Sequence, residues 1–262
     1  MITQATTIDE VIFLLEQIIR DCKKKEDTLG YFAALYHQVT TEVRKGIATG
    51  YFSNGPRMEK FDVLFANRYL QAYYQYRQDQ LCTASWQYAF TTSREFWPIV
   101  LQNLLLGMNA HINLDLGIAA AELCPGNNIH ALKEDFYKIN LILSGLVESV
   151  ESRLCKIWPR LTWILKKVGK VDGYFIDFSM ECARDGAWKY ATEFAFMNQA
   201  ARSESIIDRD KKIAAIAKLV SKPGFFISTI LLGIRLGEIG SVSKKIDHLC
   251  ATPMLLNAVP TN

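Results

Sequence analysis

Apolar positions along this chain recur at spacings of three and four, the period of an α-helix, and no long stretch alternates apolar with polar residues. Thr7 and Asp9 stand where an N-cap would precede a first helix, "VIFLLEQIIRDCKKK". A second helix is predicted from about Leu29 to Ile47, with Phe32, Tyr36, Val39, Val43 and Ile47 on one stripe. "GYFSNGPRM" interrupts the pattern as a loop, and "MEKFDVLFANRYLQAYYQYRQ" follows as a third helix rich in aromatics. Trp86 to Phe90 makes a short helical turn. The fourth helix spans about Arg94 to Leu123 and ends at "CPGNN"; the fifth spans Ala131 to about Trp158 and stops at Pro159. A shorter piece covers Leu161 to Val168. The sixth covers Tyr174 to Ala201, and after it come "IIDRDKKIAAIAKLV" and a last apolar helix around Phe225 to Leu236.

No Gly/Ser- or Pro-rich linker and no fixed-period repeat divides the chain. The pattern therefore predicts one all-α domain over residues 1–262, bundle-like, built around a central buried helix at about 94–123. The C-terminal helices, about 205–240, are expected to pack on it, and residues 251–262 to form an irregular tail.

With 262 residues, 50% hydrophobic and 22% charged, the chain can bury a sizeable core. The net charge is +3, divided as −3 over residues 1–150 and +6 over residues 151–262. Without an arginine-rich run interleaved with aromatics, nucleic acid is not expected as a partner. The six cysteines contain no CxxC pair, and "MITQATTIDE" lacks a secretory leader pattern, so free thiols in the cytoplasm are expected. Phe96 to Leu114 and "GFFISTILLGI" resemble membrane spans in composition, but interrupting polar residues and short length mark them as core helices, so no transmembrane segment is expected.

The chemistry concentrates in "GMNAHINLDL", Gly107 to Leu116, within the most apolar helix. At 100° per residue Leu104, Met108, His111, Asp115, Ile118 and Ala119 share one stripe, while Leu105, Leu106, Ile112 and Leu116 cover the opposite faces. A helix apolar nearly all round is central, so His111 and Asp115 are placed inside, one turn apart. A buried carboxylate needs a histidinium, an arginine or a metal as compensation. Asn109 and Asn113 form a second one-turn pair on another face, and Gly107 leaves room for a neighbour or a ligand. One reading is a buried pair that only fixes packing. The other is a site, joined by Asp62, Asn67 and Arg68 of "FDVLFANRYL" and by His37. His-x3-Asp is also metal-ligand spacing, with His37, Asp62, Asp177 or Asp185 as candidate further ligands.

The sixth helix carries Asp177, Glu181 and Asp185 at steps of four, with Arg184 and Trp188 on the same side. Carboxylates spaced in this way hold magnesium in prenyl-diphosphate cyclases, but no aspartate-rich partner motif accompanies them, and a solvated charged face explains them as well. No nucleophile elbow, phosphate-cradling glycine loop or His-Glu-x-x-His is present.

Together "LFANRYL", "GMNAHINLDL" and "ARDGAW" resemble a family of helical bacterial proteins of unknown function, over about Tyr31 to Trp188. The resemblance implies that Asp62, Asn67, Asn109, His111, Asp115, Arg184, Asp185 and Trp188 lie in shared motifs, and it implies no mechanism. The His-x3-Asp is also similar to one element of the zinc-dependent phospholipase C and single-strand nuclease group. Those enzymes follow it with a further histidine that Leu116 to Ala121 lacks.

These readings converge on an enzyme, a hydrolase or a lyase or cyclase, acting on a small apolar or lipid-like molecule in an aromatic-walled pocket. His111, Asp115 and Asn109 are the expected catalytic residues, and one divalent ion (zinc, iron, manganese or magnesium) on His111 and Asp115 is the expected cofactor. Arg68, Asn67, Tyr69, Trp86, Arg184 and Trp188 are the expected substrate contacts. Two alternatives stand beside it: a metal-free cyclase or isomerase using His/Asp acid–base chemistry, and a non-catalytic module that binds a small molecule or a partner.

Overall fold

The computed structural model describes residues 4–158 and 180–250, and among these every regular element is a helix. Local chemistry sets the first boundaries. The Thr7 hydroxyl accepts from the Glu10 amide at 3.2 Å and starts α1 (Ile8–Lys25), whose Asp9 and Glu10 at one end and Lys23 to Lys25 at the other complement the helix dipole. α2 (Gly30–Ala48) and α3 (Gly55–Arg77) follow, the latter capped by Asn54 with Pro56 in its first turn. The first amides of α4 (Ala84–Ser93) are capped from afar: Ala84 and Ser85 donate to the Asp210 carboxylate at 2.6 and 2.9 Å.

The central helix begins later than its pattern predicts. Trp97 precedes Pro98, and a residue before proline resists the α region, so Arg94 to Ile99 form a connection and α5 covers Val100–Ala110. A π-helical segment, His111–Leu116, joins it to α6 (Gly117–Leu123). α7 (Ile129–Ile157) ends at Trp158, before Pro159. The predicted sixth helix is broken: α8 covers Met180–Ala195, and Asn198 caps a new helix, α9 (Gln199–Ser221), by accepting from the Ala201 amide at 3.0 Å. After α10 (Phe225–Gly237) comes α11 (Val242–Cys250), which the sequence reading did not identify. Its Val242, Ile246 and Leu249 are nevertheless spaced by four and three. The predicted piece at 161–168, the start of the sixth helix and the tail 251–262 lie outside the described residues.

One cluster of buried side chains runs from Ala5 to Leu249. The stretch Val100–Leu123 passes through it, long and apolar enough to cross a membrane but with 89% of that window buried in the protein. α5 packs against α2, α4 and α9, and α6 against α3, α7 and α8. Two glycines permit close approaches to this stretch. A Cβ on Gly107 would stand 2.4 Å from the Phe32 ring, and one on Gly117 would stand 2.9 Å from the Ala187 carbonyl oxygen.

Candidate functional site

His111 and Asp115 open and nearly close the π segment. A π turn holds more than four residues, so positions four apart stand almost over one another, and such turns recur at functional sites. His111 Nδ1 and Asp115 Oδ2 are 3.1 Å apart, both side chains fully buried. Two further donors come from other helices: Arg68 Nε from α3 at 2.9 Å on Oδ1, and Trp86 Nε1 from α4 at 2.8 Å on Oδ2.

These contacts fix the protonation states. Burial opposes the Asp115 charge, but the Arg68 guanidinium and the His111 and Trp86 donors outweigh it and hold the carboxyl below its usual range. Burial likewise disfavours imidazolium, and although Asp115 resists it the His111 pKa is lowered. His111 is thus a neutral imidazole. The carboxylate fixes its proton on Nδ1, which leaves Nε2 as an acceptor.

Nε2 has no hydrogen-bond partner, although it is buried. Phe65 of α3 stacks on the imidazole at 3.6 Å and 8°, and Tyr36 of α2 stands edge-on at 4.5 Å. Phe32, Trp86 and Tyr69 complete an aromatic enclosure at 5.8 to 6.1 Å. The enclosure is thinnest along α3, where Phe65 and Arg68, one turn apart, are both partly exposed.

A second group of unsatisfied polar atoms adjoins this enclosure. The Tyr36 hydroxyl, the Thr40 hydroxyl and Asp62 Oδ2 are buried without partners. Burial, and then the neighbouring Asp62 carboxyl, push the Tyr36 pKa well up; its hydroxyl lies near Thr40 but outside hydrogen-bond geometry. Asp62 is fully enclosed, and burial with some help from Glu59 pushes it up to about 8, so it is a neutral acid at neutral pH.

Several predicted site residues do something else. Asn109 Nδ2 donates to the Ile213 carbonyl at 3.0 Å while its Oδ1 accepts from Asn113, so it clamps α5 to α9. Asn67 exchanges two hydrogen bonds with the Ala5 backbone, at 2.8 and 2.9 Å, and tethers the segment before α1. Arg68 gives its Nε to Asp115 and so neutralises that carboxylate, and the Trp86 indole is a second donor to it. The Tyr69 ring belongs to the enclosure, with its hydroxyl buried and unpartnered. Trp188 packs on Phe136 at 4.9 Å and on Tyr137, in a separate aromatic group; Arg184, buried in the same helix, acts electrostatically on Tyr137.

The metal-ligand set does not assemble among the described residues. His37 pairs with Glu16 at 3.4 Å, Asp185 is exposed and accepts from Tyr137, and Asp177 lies outside the described residues. No three His, Cys, Asp or Glu side chains gather where an ion could be held, again among the described residues. Within the pair both Asp115 oxygens and His111 Nδ1 are engaged, which leaves Nε2 as its one open ligand atom, while Asp62 Oδ2 is open in the adjoining group. A small apolar cavity of about 10 Å³, between Ile99, Leu154, Ile157 and Ile234, includes none of the site residues.

Sequence reasoning missed Phe65 and Tyr36 as the rings nearest His111, and Thr40 as the neighbour of Tyr36. The i, i+4 spacing of Phe32, Tyr36 and Thr40 was the available signal. The chain belongs to a family of unknown function (DUF5995), whose model matches residues 8–223, further in both directions than the motifs that first suggested it. No curated protein matches the chain, and no solved structure does.

Proposed function

We propose that this protein is a metal-free acid–base enzyme of the isomerase or cyclase kind, acting on a small, largely apolar molecule. The observation that carries the reading is His111 Nε2, a buried acceptor without a partner on an imidazole whose other nitrogen is anchored to an ionised aspartate. Neutral imidazole in that setting accepts a proton at Nε2, and Asp115 stabilises the imidazolium that forms.

Two enclosed carboxyls are held in opposite states, Asp115 ionised and Asp62 protonated, a separation typical of acid and base roles within one site. Asp62 and the Tyr36 hydroxyl offer hydrogen bonds to the polar end of a substrate whose apolar body meets Phe32, Phe65 and Trp86. Phe65, partly exposed and stacked on the imidazole, swings aside to admit it. The tight stack over His111 also favours a second reading, in which the network only organises the core.

The test is proton exchange. The protein is incubated in D2O with a panel of small lipophilic ketones, enones and polyenes, and deuterium uptake or mass-neutral rearrangement is followed by mass spectrometry. Wild type should turn over at least one class, and His111→Gln, which keeps a donor for Asp115, should be slower by about 10²–10⁴-fold with an unchanged melting curve. Equal turnover by both proteins, or none by either, would sink the proposal.

A further inference from the structure

α10 is a surface helix with an uncharged solvent face. Only Leu231 and Ile234 of its residues are buried. Its outward side carries Phe225, Ser228, Thr229, Leu232, Gly233 and Leu236, all exposed and none charged. Phe225 is 92% exposed and Leu236 72%. Surface helices ordinarily put charge on that side, and an apolar face of this kind marks a surface that something covers. Leu219 just before the helix and Ile239 just after it are exposed as well. The Phe96–Trp97 connection is drawn alongside: Arg235 Nε donates to the Phe96 carbonyl at 2.6 Å and its guanidinium lies 4.6 Å from the Phe96 ring, with Trp97 next to it 62% exposed.

Charge decides what covers it. From Lys211 to Gly240 the sequence has five cationic side chains and a single carboxylate, Glu238. That carboxylate is buried and held by Lys245 at 2.8 Å and Arg235 at 3.4 Å. Lys211, whose amine lies 4.0 Å from Asp208, is exposed, as are Lys212, Lys218 and Lys222, the last two within seven residues of Phe225. A symmetric pairing of two copies through this face would bring like charges together, and residues 251–262 carry no carboxylate side chain to match them. An anionic lipid surface supplies both missing complements, hydrocarbon for Phe225, Leu232 and Leu236 and phosphate for the lysines.

We infer that α10 and the lysine-bearing end of α9 form an interfacial docking surface for membranes rich in anionic phospholipid, with α10 lying in the plane of the interface. The family match ends at residue 223, so it takes in the lysine-bearing end of α9 and stops just before α10. The docking surface does not depend on the His111 chemistry.

The experiment is co-sedimentation of the full chain with phosphatidylcholine vesicles, with and without phosphatidylglycerol. Wild type should pellet with the anionic vesicles, weakly with the neutral ones, and less as salt is raised. Phe225→Glu/Leu236→Glu should abolish pelleting, and Lys218→Glu/Lys222→Glu should reduce it at least several-fold. All four positions are exposed, so unchanged melting curves exclude misfolding. Three outcomes would overturn the inference: no pelleting with either vesicle, pelleting that survives Phe225→Glu/Leu236→Glu, or light scattering that shows a dimer dissociated by those changes while vesicles are ignored.

Discussion

Asp115 and Asp135 are both fully buried aspartates held by an arginine, yet they are different kinds of site. Asp135 on α7 accepts from the Ser53 and Asn54 amides at 2.7 and 3.2 Å and from Arg57 at 3.0 Å, so it fastens the loop before α3. In that bracket the Arg57 Nη2 ends on the carboxylate, while its Nε is buried without a partner. Asp115 also takes three donors, and one of them, His111, has a second nitrogen facing into the enclosure without a partner. What separates the two is the kind of atom left open: Arg57 Nε–H is a donor on a guanidinium that keeps its proton, whereas His111 Nε2 is a lone pair that can take one.

The largest separation between the two should come from truncation. Asp115→Ala strands Arg68, the Trp86 indole and His111, and should cost about 3–5 kcal/mol in urea denaturation. Asp62→Asn comes next and is pH-dependent. Below 3.8 folded and unfolded chains both hold the proton; as pH rises the unfolded chain ionises first while the folded protein keeps its proton to about 8. Wild-type stability should therefore fall across that window and level off above it, whereas the variant should lack this fall. The gap reaches a few kcal/mol, on the order expected for such a shift, and pH-resolved denaturation of the pair measures it. Parallel pH curves would mean that Asp62 is ionised in its enclosure.

Gly107→Ala presses a methyl into the Phe32 ring beside His111 and should cost about 1–3 kcal/mol, read as a lowered melting temperature, without touching the Asp135 bracket. Asp135→Ala should be mildest, about 1–2 kcal/mol, because Ser53 and Asn54 are exposed and their amides can turn to water. Its His111 nitrogen chemical shifts should match wild type. A cost equal to that of Asp115→Ala would erase the distinction between the two aspartates.

What the sequence could and could not disclose follows the range of each interaction. The all-α class and the buried central helix follow from apolar spacing alone. His111 with Asp115, and Asn109 with Asn113, are neighbours because four residues along one helix is a local distance. Trp86 on Asp115 and Phe65 on His111 depend on how α4 and α3 pack, which no local pattern encodes. Arg68 illustrates the boundary: it is legible as a cation near the site, but not as the counterion of Asp115. His37 shows the reverse error, since a histidine on an apolar helix suggests a ligand until the packing turns it towards Glu16.

The π turn at His111–Leu116 also acts as a phase shifter. One residue beyond the α repeat rotates everything after it by about 100° relative to everything before it. A single continuous helix thereby addresses two audiences, α2, α4 and α9 through its first half, and α3, α7 and α8 through its second. The angular map drawn for an unbroken α-helix holds on either side of the turn but not across it. Loss of a single residue there would re-phase the halves and force one set of neighbours to let go.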